Sequence, residues 1–198
     1  PLDLFKKLAS EPFKSSVQWD KINFFWSDER FVSHDDPESN YSNAKKNLFD
    51  KINIPQKNIH PVNSFKSIEE ETKNYSADIL KMVPLKNGLP VFDWILLGMG
   101  ADGHTASLFP GLNLSSVANG IAGVAVHPVT GQKRISLTKE VINNAEKITF
   151  LVTGKDKAEM VFKILNMEET IKYPAADIKP SNGKLEWLLD KDAAVFLK

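Results

Sequence analysis

No cysteine occurs among the 198 residues of this chain, which excludes disulfides, thiolate metal sites and cysteine nucleophiles and fits a reducing cytoplasm. An excess of charge is missing too. The 25 Lys and Arg residues balance 25 Asp and Glu, so no overall field favours nucleic acid or an anionic membrane, and any anion site has to be built locally. No apolar run reaches membrane-spanning length and no charged-then-apolar leader is visible, so a soluble, unexported, cytoplasmic protein is expected. Without a Gly-x-Ser-x-Gly elbow, a serine nucleophile is not expected. His34 lies in a turn with Asp35 and Asp36, while His60 and His127 each precede a proline. None of these three sits at metal-ligand spacing on a helix, so neither a metal nor another cofactor is expected.

What is present is enough apolar material, 42% of the residues, for one buried core, and the length points to a single domain over 1–198. Pro1 stands at the first turn of an amphipathic pattern formed by Leu2, Leu4, Phe5 and Leu8. Ile22 to Trp26 reads as a buried strand, followed by a polar loop from Ser27 to Asn40. Ser39 or Asn40 caps a helix carrying Tyr41, Ala44, Leu48 and Phe49. Ser67 and Glu70 have capping-box spacing and open a helix over about 67 to 83. Val91 to Leu97, Gly123 to Val126, Arg134 to Leu137 and Ile148 to Val152 read as strands, with a short helix after Thr138 and another carrying Met160, Val161, Ile164 and Leu165. A loop over 173 to 183 precedes a closing helix, Leu185 to Leu189, and a strand, Ala193 to Leu197. Strands alternating with helices, with no repeat or linker, predict a three-layer, Rossmann-like α/β domain with a mostly parallel sheet.

The most informative stretch is Leu97-Gly98-Met99-Gly100-Ala101-Asp102-Gly103-His104. An apolar strand buried on both faces runs into glycines and then into an aspartate and a histidine two residues apart. Ligands of open α/β sheets bind beyond the carboxyl ends of the strands, where glycines let the chain turn and bring backbone N–H groups near a ligand. Gly-x-Gly after a strand is weak evidence by itself, being shared by nucleotide-binding folds and plain turns. The attached Asp-Gly-His makes a functional loop the stronger reading.

With these residues in place, the chain resembles the 6-phosphogluconolactonase family, within the fold group that also holds glucosamine-6-phosphate and ribose-5-phosphate isomerases. Four blocks carry the resemblance in order: Trp26-Ser27-Asp28-Glu29-Arg30 with Glu38-Ser39-Asn40, the block from Gly98 to Gly111, Arg134-Ile135-Ser136-Leu137-Thr138, and Gly154 with Lys157-Ala158. The tail, Leu185 to Asp190 with Ala193-Ala194, adds to them. By this resemblance Pro1 matches the last proline of a Gly-Gly-Ser-Thr-Pro phosphate turn, so the domain is expected to be N-terminally incomplete, lacking the first strand and that turn. The isomerases usually carry a glutamate five residues after the histidine and a tyrosine in place of Arg30. Phe109 and Arg30 stand there instead and favour the lactonase.

The resemblance implies hydrolysis of 6-phospho-D-glucono-1,5-lactone to 6-phosphogluconate, with a sugar phosphate as the partner. His104 would accept a proton from the attacking water, since a histidine with its ordinary pKa of about 6.5 can be neutral at cellular pH. Asp102 would orient the imidazole or cap the loop. Backbone N–H groups around Gly100 to Gly103 would stabilise an oxyanion. Arg134 and Lys157 stand where the family places basic contacts, Arg30 would reach the sugar ring or phosphate from another loop, and Lys155 is the fallback cation. Asp28 and Glu29 are read as structural partners of Arg30. An isomerase of the same fold and a non-catalytic sugar-phosphate binder are the competing readings, with a nucleotide-binding domain weaker still. Oligomeric state is left open.

Overall fold

A computed structural model describes residues 2–166 and 173–197; Pro1, and with it the first-turn reading, lies outside the described residues. In chain order the elements are helices α1 (Leu2–Leu8) and α2 (Phe13–Ser16), strand β1 (Asp28–Arg30), helices α3 (Asn40–Asn47) and α4 (Ile68–Met82), and the short strands β2 (Leu85–Lys86) and β3 (Leu89–Pro90). Strands β4 (Ile95–Leu97), β5 (Ser115–Ala118), β6 (Ala122–Val126) and β7 (Lys133–Leu137) follow. Helix α5 (Lys139–Asn143), β8 (Lys147–Val152), α6 (Ala158–Asn166) and β9 (Lys184–Leu189) complete the chain.

The α/β expectation holds, and its strands divide between two main sheets. β4, β8 and β9 form a parallel sheet, while β1, β7, β6 and β5, in that order, form an antiparallel one; β2 and β3 make a separate hairpin. Ile95, Leu97, Ile148, Phe150 and Val152 are buried in the main core with Val161 and Ile164 of α6 and with Val124, Ile135 and Leu137 of the antiparallel sheet. A second cluster, Trp19, Trp26, Leu48, Phe49 and Ile59, takes the apolar faces of α1 and α3 through Phe5, Leu8 and Ala44. The three predicted caps form: Ser39, Ser67 and Thr138 accept from the backbone N–H groups of Ser42, Glu70 and Val141. Among the described residues no helix is long and apolar enough to cross a membrane.

Three expectations are corrected. Ile22 to Trp26 is not a full strand: Phe24 makes one parallel bridge to Ile59, and the N–H and C=O of Trp26 are both taken by the Tyr75 hydroxyl, at 2.7 and 2.8 Å. The loop after it instead contains β1. Leu185 to Leu189 lies in β9 and not in a helix, because Lys184 to Leu189 pair residue for residue with Lys147 to Val152 and the Trp187 ring stacks on Phe150 at 4.0 Å. Ala193 to Leu197 forms turns and not a strand; the Asp190 carboxylate accepts from the N–H of Ala193 and of Gly154, ending β9 and tying it to the loop after β8.

Candidate active site

Beyond Leu97 the chain closes on itself through its own backbone. Gly100 N–H donates to the His104 carbonyl (2.9 Å), Gly103 N–H to the Gly100 carbonyl (3.1 Å), and the Thr105 hydroxyl to the Gly98 carbonyl (2.8 Å). These bonds spend the N–H groups of Gly100 and Gly103 within the loop. The two glycines act through shape. A Cβ on Gly100 would run into the His104 ring and the Asp102 carboxylate, so only a bare Cα lets that pair lie flat on the turn. Gly103 has φ +79° and would drive a Cβ into Tyr173. Gly98, Gly100 and Gly103 have the Gly-x-Gly-x-x-Gly spacing of a dinucleotide loop, yet the chain then enters turns, so no helix N-terminus faces a pyrophosphate.

On this turn His104 Nδ1 meets Asp102 Oδ1 at 2.6 Å, and the His104 backbone N–H donates to the same oxygen at 3.2 Å. Partial burial opposes ionisation of Asp102, but the hydrogen bonds from the His104 ring and backbone hold its carboxyl below the ordinary value, and the charge of the ring adds to this when it is protonated. A carboxylate can only accept, so Nδ1 carries the proton of a neutral ring and Nε2 keeps a lone pair. The His104 side chain is one-quarter exposed, and water can reach it.

One face of the antiparallel sheet stands against this loop. Ser107 fixes the contact, donating its N–H to Ser136 Oγ (3.2 Å) and its hydroxyl to Asp28 Oδ2 (2.6 Å). Register does the rest, pairing Asp28 with Ser136 and Arg30 with Arg134, so that all four share a face by the period of two. Arg134 is buried, with Nη1 4.0 Å from Asp28, Nε donating to Gln132 (3.1 Å) and its guanidinium 5.7 Å from the centre of the Phe109 ring. That same ring lies 4.9 Å from His104. Arg30 donates through Nη1 to the Glu38 carbonyl (2.7 Å), and its buried Nε has no hydrogen-bond partner among the described residues. Burial, and then the like charge of Arg30, pull the Arg134 pKa below its ordinary value against Asp28 and Glu38. Two guanidiniums directly opposite across a strand pair repel, and a bound anion would relieve them.

A family profile described as "Glucosamine-6-phosphate isomerases/6-phosphogluconolactonase" matches residues 1–187. This chain belongs to that family. It is 46% identical over 198 residues to a 6-phosphogluconolactonase of Aggregatibacter actinomycetemcomitans, covering all of this chain and 83% of the relative. A crystal structure of a devB protein superposes with a TM-score of 0.95 at 47% identity, over 100% of this chain and 83% of that one. The 6-phosphogluconolactonase of Trypanosoma brucei superposes with a TM-score of 0.88 at 28% identity, over 100% and 82%.

Of the residues expected at a site in this family, the structure brings Asp102, His104, Gly100, Gly103, Arg30 and Arg134 to one place. Lys157 pairs with Asp156 at 3.0 Å in the turn before α6. Its loop follows β8, whose carboxyl end lies beside that of β4, so Lys157 shares the sheet end from which the His104 loop departs. Asp28 and Glu29 do not pair with the Arg30 guanidinium. Asp28 serves Arg134 and Ser107, whereas Glu29, 2% exposed, accepts the backbone N–H groups of Arg30, Asn40 and Tyr41 and the Ser39 hydroxyl, fastening the start of α3 to β1. Burial raises the Glu29 carboxyl above its ordinary value despite those donors. Sequence reasoning gave Asp28 to Arg30 and did not single out Ser107 or Gln132; the alternation Asp28-x-Arg30 and Arg134-x-Ser136 was the signal that could have placed the first on the same face as both arginines.

Proposed function

We propose that this protein hydrolyses 6-phospho-D-glucono-1,5-lactone to 6-phosphogluconate, with His104 as general base. The observation that carries the reading is the Asp102–His104 pair, Nδ1 engaged at 2.6 Å and Nε2 left over, beside two arginines that face each other across β1 and β7. Water attacks the lactone carbonyl carbon as Nε2 takes its proton. The tetrahedral intermediate then collapses, the bond from that carbon to the ring oxygen breaks, and His104 returns the proton to the departing oxygen. Asp102 holds the ring and stabilises the transient imidazolium. Arg30 and Arg134 bind the phosphate, and Lys157 is a third cation at the same sheet end. Water attack on an activated ester needs no metal, and the reaction we propose is metal-independent and cytoplasmic.

The isomerase reading lacks its second carboxylate. Phe109 stands in that place, buried and packed on His104. Two of the relatives reported above, those of Aggregatibacter actinomycetemcomitans and Trypanosoma brucei, are named as 6-phosphogluconolactonases, which supports the same choice.

The test is hydrolysis of freshly generated lactone, coupled to 6-phosphogluconate dehydrogenase and corrected for spontaneous opening. The wild-type chain should turn over, and His104→Ala should lose roughly 10²- to 10⁴-fold in kcat with its fold intact. A variant as active as wild type removes the base assignment, and an inactive wild type that still binds 6-phosphogluconate makes the protein a binder.

A further inference from the structure

In the sequence His127 is marked only by the proline that follows it. The structure puts it on the site. β6 pairs Gly123 with Ser136 and Ala125 with Arg134, so His127, two residues beyond Ala125, continues the face that carries Arg134 and Arg30. Its ring packs edge-on against Phe109 with centroids 5.1 Å apart, on the residue that also touches His104 and Arg134.

The tautomer is fixed by the hairpin. His127 N–H donates to the Gln132 carbonyl, and Nδ1 accepts from the backbone N–H groups of both Val129 and Thr130 at 3.2 Å. Two donors aimed at Nδ1 require a lone pair there, so the proton sits on Nε2. The charged surroundings work in the same direction. Partial burial, Arg134, His104 and Arg30 disfavour a second proton and outweigh Asp102, which favours one. Gln132, opposite His127, holds Arg134 Nε, which places this imidazole at the arginine end of the site.

We propose that His127 is a neutral hydrogen-bond donor to the substrate phosphate, its Nε2–H completing the anion site of Arg30 and Arg134. The inference rests on the reading of those arginines as the phosphate site. A neutral donor adds direction without placing a further positive charge beside two guanidiniums that already repel.

Two variants separate binding from turn geometry. His127→Asn keeps an acceptor where Nδ1 stands and removes the Nε2–H; His127→Gln supplies an N–H near Nε2 and gives up the turn acceptor. Dissociation constants for inorganic phosphate and 6-phosphogluconate are measured by calorimetry, alongside thermal melts. His127→Asn should weaken both ligands about tenfold at unchanged melting temperature, whereas His127→Gln should stay within about threefold of wild type. Long-range ¹H–¹⁵N spectra should show the Nε2–H tautomer between pH 6 and 8 and a shift of that proton on adding phosphate. Wild-type affinity in His127→Asn, absence of saturable phosphate and 6-phosphogluconate binding by the wild type, or an Nδ1-protonated ring would each overturn the proposal. These readouts need no turnover, so an inactive wild type that binds both ligands would defeat the hydrolysis reading and leave this one standing.

Discussion

Alanine at Gly100 should remove catalysis while leaving the fold nearly untouched. The new Cβ would overlap His104 Nδ1 and Cε1 and stand 2.5 Å from Asp102 Oδ1, so something has to move. Every atom it meets lies toward the end of a side chain, and both side chains can rotate away. Holding His104 and Asp102 off their rotamers costs about 0.5–1.5 kcal/mol each, and the loss of glycine's freedom in the unfolded chain returns about 0.4–1 kcal/mol. The balance is a destabilisation of about 1–2 kcal/mol, or a fall of roughly 2–8 °C in Tm for a domain of this size. Activity depends on position far more steeply, and a base displaced by about 1 Å loses on the order of 10²-fold in rate. Gly98→Ala is the matched control two residues away, because a Cβ there has nothing within 4 Å. Initial rates on fresh lactone and thermal melts of both variants decide the matter. If Gly100→Ala keeps kcat within about threefold of Gly98→Ala, the Asp102–His104 pair is not the catalytic device.

Arg30→Gln should raise KM for the lactone at least about tenfold while leaving the unliganded protein as stable as wild type or up to about 1 kcal/mol more so, because it removes the like charge opposite Arg134; an unchanged KM counts against phosphate binding there. Asp102 has a depressed pKa in the folded state, so its contribution to stability is present above the unfolded value of about 3.9 and is lost as pH falls through the folded one. Denaturant melts of wild type and Asp102→Asn should therefore differ at pH 7 and converge well below pH 4, and a constant gap would refute the charge-based account. Glu29→Gln should destabilise by about 1–3 kcal/mol, since an amide cannot accept from all four donors that converge on this buried carboxylate. A stable Gln variant in urea titration would show that α3 is held by packing alone.

The local chemistry of the site was legible in the order of residues. Glycines after an apolar strand, with Asp102 and His104 two apart, dictate a turn that can carry a hydrogen-bonded carboxylate–imidazole pair, and Ser39, Ser67 and Thr138 announced their helices because a cap is a contact within four residues. Longer-range pairing was not legible. Nothing in Leu185 to Leu189 distinguishes a short helix from an edge strand until β8 offers its backbone, and Trp26 looks like strand until the Tyr75 hydroxyl takes both its N–H and its C=O. The facing of Arg30 and Arg134 likewise depends on the register of β1 against β7, which a slip of one residue would turn to the opposite face. The same holds for His127, whose tautomer and neighbours come from a hairpin and from Phe109. Sequence by itself determined the Asp102–His104 pair and the supply of cations, because those depend on neighbours along the chain. Only the tertiary structure decided which cations meet that pair, because strand register and packing across the core set those distances.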